Sequence, residues 1–167
     1  MITAKALDKR AADLIDTLRR KGLMVATAES CTGGLVAGFL TEIAGSSAVF
    51  DRGFVTYSNA AKTEVLGVPA DLVAAHGAVS EPVARAMAEG AVRAARTDIA
   101  VAVTGIAGPG GGSAEKPIGL VHFAAARRNG PTIHRECRFG DLGRRQVRLE
   151  SVGVALDLLT EAAGAPT

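Results

Sequence analysis

The sequence predicts an α/β fold: a three-layer α/β/α sandwich around a mixed, mainly parallel sheet that contains an antiparallel strand. Three observations carry this. Helix-period segments alternate with short apolar runs along the earlier part of the chain. Two later apolar runs are joined only by Arg127-Arg128-Asn129-Gly130-Pro131, too short for the crossover a parallel pair requires, so they form a hairpin. Finally, 167 residues that are 48% apolar and 22% charged fit one core and exclude wholesale disorder.

Taken in order, Ala4, Leu7, Ala11, Leu14, Ile15 and Leu18 recur at three- and four-residue steps, one face of an amphipathic helix. Arg19, Arg20 and Lys21 suit its negative end, and Gly22 stops it. The run 23–28 reads as a buried strand, and 35–43 as a helix ended by Gly45. Residues 49–57, β-branched and aromatic around Gly53, suggest a strand bulged at that glycine. Residues 59–66 are helical up to Gly67-Val68-Pro69, and 71–75 form a short turn of helix ending at His76-Gly77. Ser80 can cap the next helix, with Pro82 tolerated in its first turn, and the pattern runs to about Arg96. Residues 98–104 form another buried strand feeding a glycine-rich loop at 105–113, followed by the two hairpin strands at 118–126 and 132–139. Leu149, Val152, Leu156 and Leu159 give the last helix its apolar stripe. No repeat or linker divides the chain, so residues 1–167 are expected to form a single domain.

Aromatics are only 4% with no Trp, so the core rests on Ala, Val, Leu and Ile in closely approaching elements. The net charge of +2 is too weak for a general nucleic-acid binder. Arg127, Arg128, Arg135, Arg138, Arg144, Arg145 and Arg148 do concentrate charge late in the chain, as a solvated face or as an anion site. Cys31 and Cys137 cannot build a disulfide scaffold or a cysteine zinc site, and a reducing, cytoplasmic setting is expected. The charged N-terminal decapeptide is no signal peptide, and no apolar run approaches the ~20 residues that span a bilayer, so neither a membrane nor a nucleic-acid partner is expected. His76, His122 and His134 show no metal-ligand spacing. His122, inside a strand, reads as structural or pocket-lining. Small-residue surfaces and an open sheet edge are compatible with a homodimer.

Three segments could carry chemistry. Glu29-Ser30-Cys31-Thr32-Gly33-Gly34 follows a strand and opens a helix, where ligands of α/β sheets gather and free N–H groups favour negative charge. A hydroxyl or thiol here could attack a carbonyl, with backbone N–H groups around Thr32, Gly33 and Gly34 holding the oxyanion and the glycines admitting substrate. The same residues also suffice as a plain cap and turn, and Cys31 reads as a packing residue. In the second segment, Tyr57 and Ser58 stand at a strand end and Lys62 one turn into the next helix. Lys62 could be a desolvated general base or an ordinary surface lysine, and Tyr57 a proton donor, substrate contact or packing residue. The third is the loop from Thr104 and Gly105 to Ser113, either an anion nest or a flexible connection; it lacks the Walker and dinucleotide patterns.

Five blocks in one order, 28–34 (AESCTGG), 44–47 (AGSS), 52–59 (RGFVTYSN), 76–81 (HGAVSE) and 104–109 (TGIAGP), make the chain similar to the CinA C-terminal family from about Leu14 to about Leu159. The resemblance implies a three-layer α/β/α domain that hydrolyses the nicotinamide amide of nicotinamide mononucleotide to nicotinic acid mononucleotide and ammonia. It implies no metal or organic cofactor. It matches Ser30 to the family's serine, Lys62 to its lysine and Tyr57 to an active-site tyrosine, giving a Ser–Lys pair. Thr32, Gly33, Gly34, Thr104 and Gly105 are the candidate substrate contacts, with the nucleotide phosphate assigned either to the glycine-rich loop or to a late arginine. Many family members carry a preceding domain with pyrophosphatase activity; this chain opens directly on the amidohydrolase-like region, so that second activity is not expected. The alternative function is a non-catalytic nucleotide-binding or competence- and DNA-damage-associated module.

Overall fold

The computed structural model describes residues 1–164; the last three residues of the expected 1–167 domain lie outside the described residues. In chain order the elements are α1 (Ala4–Lys21), β1 (Val25–Glu29), α2 (Leu35–Thr41), β2 (Phe50–Val55), α3 (Asn59–Leu66), α4 (Ala70–His76), α5 (Glu81–Ala95), β3 (Ile99–Gly105), β4 (Leu120–Arg127), β5 (Thr132–Arg138) and α6 (Arg144–Gly164). The sheet order is β2-β1-β3-β4-β5. β1 pairs parallel with β2 and β3, whereas β4 is antiparallel to both β3 and β5. One strand of five therefore runs against the rest, as the short connection between β4 and β5 requires.

The two faces of the sheet differ in side-chain size, because successive strand residues point to opposite sides. Val25, Ile99, Val101, Val103, Val121 and Phe123 face the layer of α1, α2 and α6, where they pack on Leu14, Leu18, Leu40, Leu156 and Leu159. Ala26, Ala28, Ala100, Ala102, Ala124 and Ala126 face the layer of α3, α4 and α5. An alanine face lets α5 settle close to the strands, and α5 answers with its own Ala84, Ala88 and Ala91. Gly90 extends the same economy outward: a Cβ there would stand 2.1 Å from the Leu66 carbonyl oxygen, so only glycine lets the end of α3 rest on α5. That contact fixes the helix that carries Lys62.

Two local expectations are corrected. The irregularity in β2 lies at Asp51, between the pairs Val25↔Phe50 and Ala26↔Arg52, while Gly53 pairs regularly with Thr27. Asp51 is the extra residue, and its carboxylate turns outward to Arg52. Ser80 precedes α5, but its hydroxyl donates back to Gly77 O at 2.8 Å instead of capping the helix. Among the described residues no helix is long and apolar enough to cross a membrane.

Candidate active site

β1 and β3 end side by side, and the chain leaves β1 at Glu29. The Ser30 N–H continues the ladder by donating to Val103 O at 2.9 Å. The Glu29 carboxylate is wholly buried and accepts the N–H groups of Gly34 (3.0 Å), Val36 (3.0 Å) and Ala37 (2.9 Å). It thus satisfies the first turn of α2, which has no partner within the helix, and places negative charge at the positive end of the dipole. Gly33 and Gly34, at φ of +58° and +100°, turn the chain from strand into helix in the left-handed region that side chains disfavour. The Gly33 N–H returns to Ser30 O at 3.0 Å. The donors expected from Gly33 and Gly34 for an oxyanion are therefore already engaged. Two N–H groups of the loop have no hydrogen bond to another of the described residues, those of Cys31 and Thr32.

Lys62 reaches this loop from α3. Ser58 caps that helix by accepting the Ala61 N–H at 3.0 Å, which sets the first turn and aims position 62 inward. The Lys62 side chain is 1% exposed, and Nζ lies 3.1 Å from Ser30 Oγ, 2.8 Å from Thr56 O and 3.2 Å from Tyr57 O. Burial disfavours the ammonium and pulls its pKa below the ordinary 10.5. Three oxygens suit an ammonium. A neutral amine would keep its two N–H donors on the carbonyls of residues 56 and 57 and turn its lone pair to the Ser30 hydroxyl. Thr32 and Thr56, together with Thr27 in β1, hold buried hydroxyls without a hydrogen-bond partner among the described residues. Buried orphan hydroxyls are uncommon in a finished core.

The remaining candidates divide. Tyr57 is 58% exposed, and its hydroxyl oxygen accepts a hydrogen bond from Arg144 Nη2 at 3.0 Å. The other arm of Arg144 donates to Gly108 O at 2.8 Å, tying the glycine-rich loop to the tyrosine. Among the late arginines, Arg144 was thus present in the sequence pattern only as one of seven and not singled out. Three of its companions are engaged elsewhere: Arg127 on the carbonyls of Ala162 and Ala163, Arg135 on Glu161, Arg138 on Glu136. Thr104 is buried, with its hydroxyl donated to Ala78 O at 2.9 Å. Gly105 lies in the β3–β4 ladder opposite Val121, where a Cβ would meet Val121 Cγ2 at 2.7 Å. Both are thereby given structural duties in addition to any contact with substrate. The Cys31 thiol is buried in the core, which pushes its pKa up to about 12 and keeps it protonated. His122 faces His134 across β4 and β5, Nδ1 to Nε2 at 3.0 Å. Among the described residues no group of three or more His, Cys, Asp or Glu side chains is arranged to hold a metal ion.

Comparison with known proteins shows what the chain as a whole is similar to. Residues 7–163 match the CinA C-terminal domain family. The chain is 57% identical over 143 residues to the nicotinamide-nucleotide amidohydrolase PncC of Escherichia coli strain K12, spanning 85% of this chain and 86% of that protein. It is 55% identical over 146 residues to a CinA-like protein of Anaeromyxobacter dehalogenans, covering 87% of this chain but 35% of the longer relative. Among solved structures, the competence/damage inducible protein CihA of Agrobacterium tumefaciens superimposes with a TM-score of 0.92 at 57% identity, over 93% of this chain and 94% of that one.

Proposed function

The chain belongs to the CinA C-terminal domain family, and we propose on that footing that it is an amidohydrolase releasing ammonia from the carboxamide of nicotinamide mononucleotide. The observation that supports the chemistry most directly is the 3.1 Å approach of the buried Lys62 Nζ to Ser30 Oγ. A hydroxyl is a weak nucleophile until a base takes its proton, and a desolvated lysine is such a base. Neutral Lys62 accepts the Ser30 proton as Oγ bonds to the carboxamide carbon. The carbonyl oxygen becomes an oxyanion within reach of the unengaged N–H groups of Cys31 and Thr32. Lys62 then passes its proton to the departing nitrogen, ammonia leaves, and Ser30 carries the acyl group as an ester. Water attacks that ester with Lys62 again taking the proton, which returns to Ser30 Oγ as the carboxylate product departs.

Tyr57 has a distinct part. Because its oxygen accepts from Arg144, its own O–H is free to point at a ligand. Arg144 joins the two regions eligible for the nucleotide phosphate, the glycine-rich loop and the late arginines. A free mononucleotide substrate is consistent with a cytoplasmic reaction.

The test is direct. Purified protein incubated with nicotinamide mononucleotide should yield ammonia and nicotinic acid mononucleotide in equal amounts, and Ser30→Ala should lower the rate by at least about 10⁴-fold. No release by folded protein would remove the activity and leave nucleotide binding without turnover as the reading. Full turnover by Ser30→Ala would move the attack to Thr32 or Cys31.

A further inference from the structure

Arg148 lies in the second turn of α6 and spans two successive carbonyls of the nucleophile loop, Nε donating to Cys31 O at 3.1 Å and Nη2 to Thr32 O at 3.0 Å. It has no hydrogen bond to Ser30 Oγ or to Lys62. A peptide unit is planar and trans, so its C=O and N–H point in opposite directions. Holding the Cys31 carbonyl toward α6 therefore turns the N–H of Thr32, which belongs to the same peptide plane, away from α6. α6 belongs to one helical layer, and α3 with Lys62 belongs to the other. The Thr32 N–H is thereby directed to the side of the loop from which Lys62 approaches Ser30. The next plane obeys the same rule: its carbonyl is on Arg148, and its N–H, that of Gly33, is on Ser30 O.

We propose that Arg148 is a positioning residue that fixes the Thr32 N–H as the hydrogen-bond donor to the oxyanion, an inference that rests on the amide-hydrolase reading of the site. Glu29 complements it from the other end of the loop. By consuming the Gly34, Val36 and Ala37 donors it leaves the Cys31 and Thr32 N–H groups as the loop donors still available. Without Arg148 the 31–32 peptide plane can rotate and present its carbonyl oxygen, a partial negative charge, where negative charge develops in the reaction. The residue type matters. A guanidinium is a flat fork that meets two carbonyls at once, whereas a lysine ammonium is a single point on a flexible stem.

The experiment compares Arg148→Ala and Arg148→Lys with the wild-type protein using nicotinamide mononucleotide. Arg148→Ala should lower kcat by about 10²-fold, the effect of losing one oxyanion donor, while KM changes by less than about 3-fold. Arg148→Lys, which keeps the charge and most of the stem and guards against a folding defect, should recover only a small part of that loss. Millimolar guanidinium ion added to Arg148→Ala should restore part of kcat. In ¹⁵N-labelled protein, Arg148→Ala should shift the Thr32 and Gly33 amide signals and hasten exchange of the Gly33 N–H. Unchanged kcat in Arg148→Ala, full activity in Arg148→Lys, or a loss that appears wholly in KM would overturn the proposal. So would undisturbed Thr32 and Gly33 amides. Lack of turnover in the wild-type protein, by contrast, would overturn the amide-hydrolase reading, and the amide signals would still decide whether Arg148 sets the peptide plane.

Discussion

Among the described residues no carboxylate partners Lys62: its three hydrogen-bond partners are one hydroxyl and two backbone carbonyls. Those oxygens stabilise the ammonium, but desolvation is the larger influence and lowers its pKa from 10.5. Activity that needs the free amine should consequently rise with pH and level off with an inflection below 10.5, read from the profile of kcat/KM. Lys62→Arg separates base from charge. It preserves a cation but cannot give up its proton near neutrality, so kcat should fall by about 10²–10⁴-fold; retention of activity would mean that the positive charge alone suffices. The sign for stability follows from the same shift. Between the lowered value and 10.5 the unfolded chain binds the proton more than the fold does, so stability gains as pH rises through that window. The sequence makes Ser30 and Lys62 candidates, but 32 residues separate them, and neither isolated pattern distinguishes a nucleophile from a cap or a base from a surface lysine. Their pairing was implied by the ordered family blocks. The carbonyls of Thr56 and Tyr57 that flank the amine, and the choice of Arg144 among seven arginines, depend on backbone direction and on distant helices, which no local pattern encodes.

At the scale of elements, the step from β1 into α2 shows how little of the site's support is local propensity. α2 has seven residues, too short to persist alone, and its N-cap position is a glycine with no side chain to offer. The buried carboxylate of Glu29 supplies the missing acceptors. Glu29→Ala strands three N–H groups and opens a cavity, which should cost about 3–5 kcal/mol in urea unfolding; Glu29→Gln, keeping shape and one acceptor oxygen, should cost about 1–2 kcal/mol. An alanine variant within 0.5 kcal/mol of wild type, roughly the level of a surface change, would show that water or the loop itself replaces the carboxylate. The strands and helices were legible because their signals are repeated along many residues: the stripe of α1, the β-branched run of β3, the short polar turn before β5. The misread features are single-residue ones. A bulge at Asp51 in place of Gly53, and a Ser80 that turns to Gly77 O, are each decided by which neighbour arrives, and sequence alone names no neighbours.

The whole molecule divides labour between its two helical layers. The α1, α2 and α6 layer packs large side chains and sends Arg148 to the backbone of the nucleophile loop, whereas the alanine-faced layer sends Lys62 to its hydroxyl. The site lies where the two meet beyond the ends of β1 and β3, so a ligand seated there touches parts held by both. Binding should therefore stabilise the fold as a unit, and this can be measured apart from catalysis. Ser30→Ala removes the attacking oxygen but leaves Tyr57, Arg144 and the loop N–H groups. Titrated with nicotinamide mononucleotide to about 100 times its Kd, this variant should gain about 2.7 kcal/mol, seen as a rise of roughly 5–10 °C in Tm for a chain of this size. The same titration with free nicotinamide, which has the amide but no phosphate, should give a much smaller rise at equal concentration. Equal shifts for the two ligands would mean that the phosphate finds no partner, and Arg144 and the glycine-rich loop would lose their assigned part. No shift with either ligand, in a variant that unfolds as cooperatively as wild type, would deny that the site recognises this nucleotide at all.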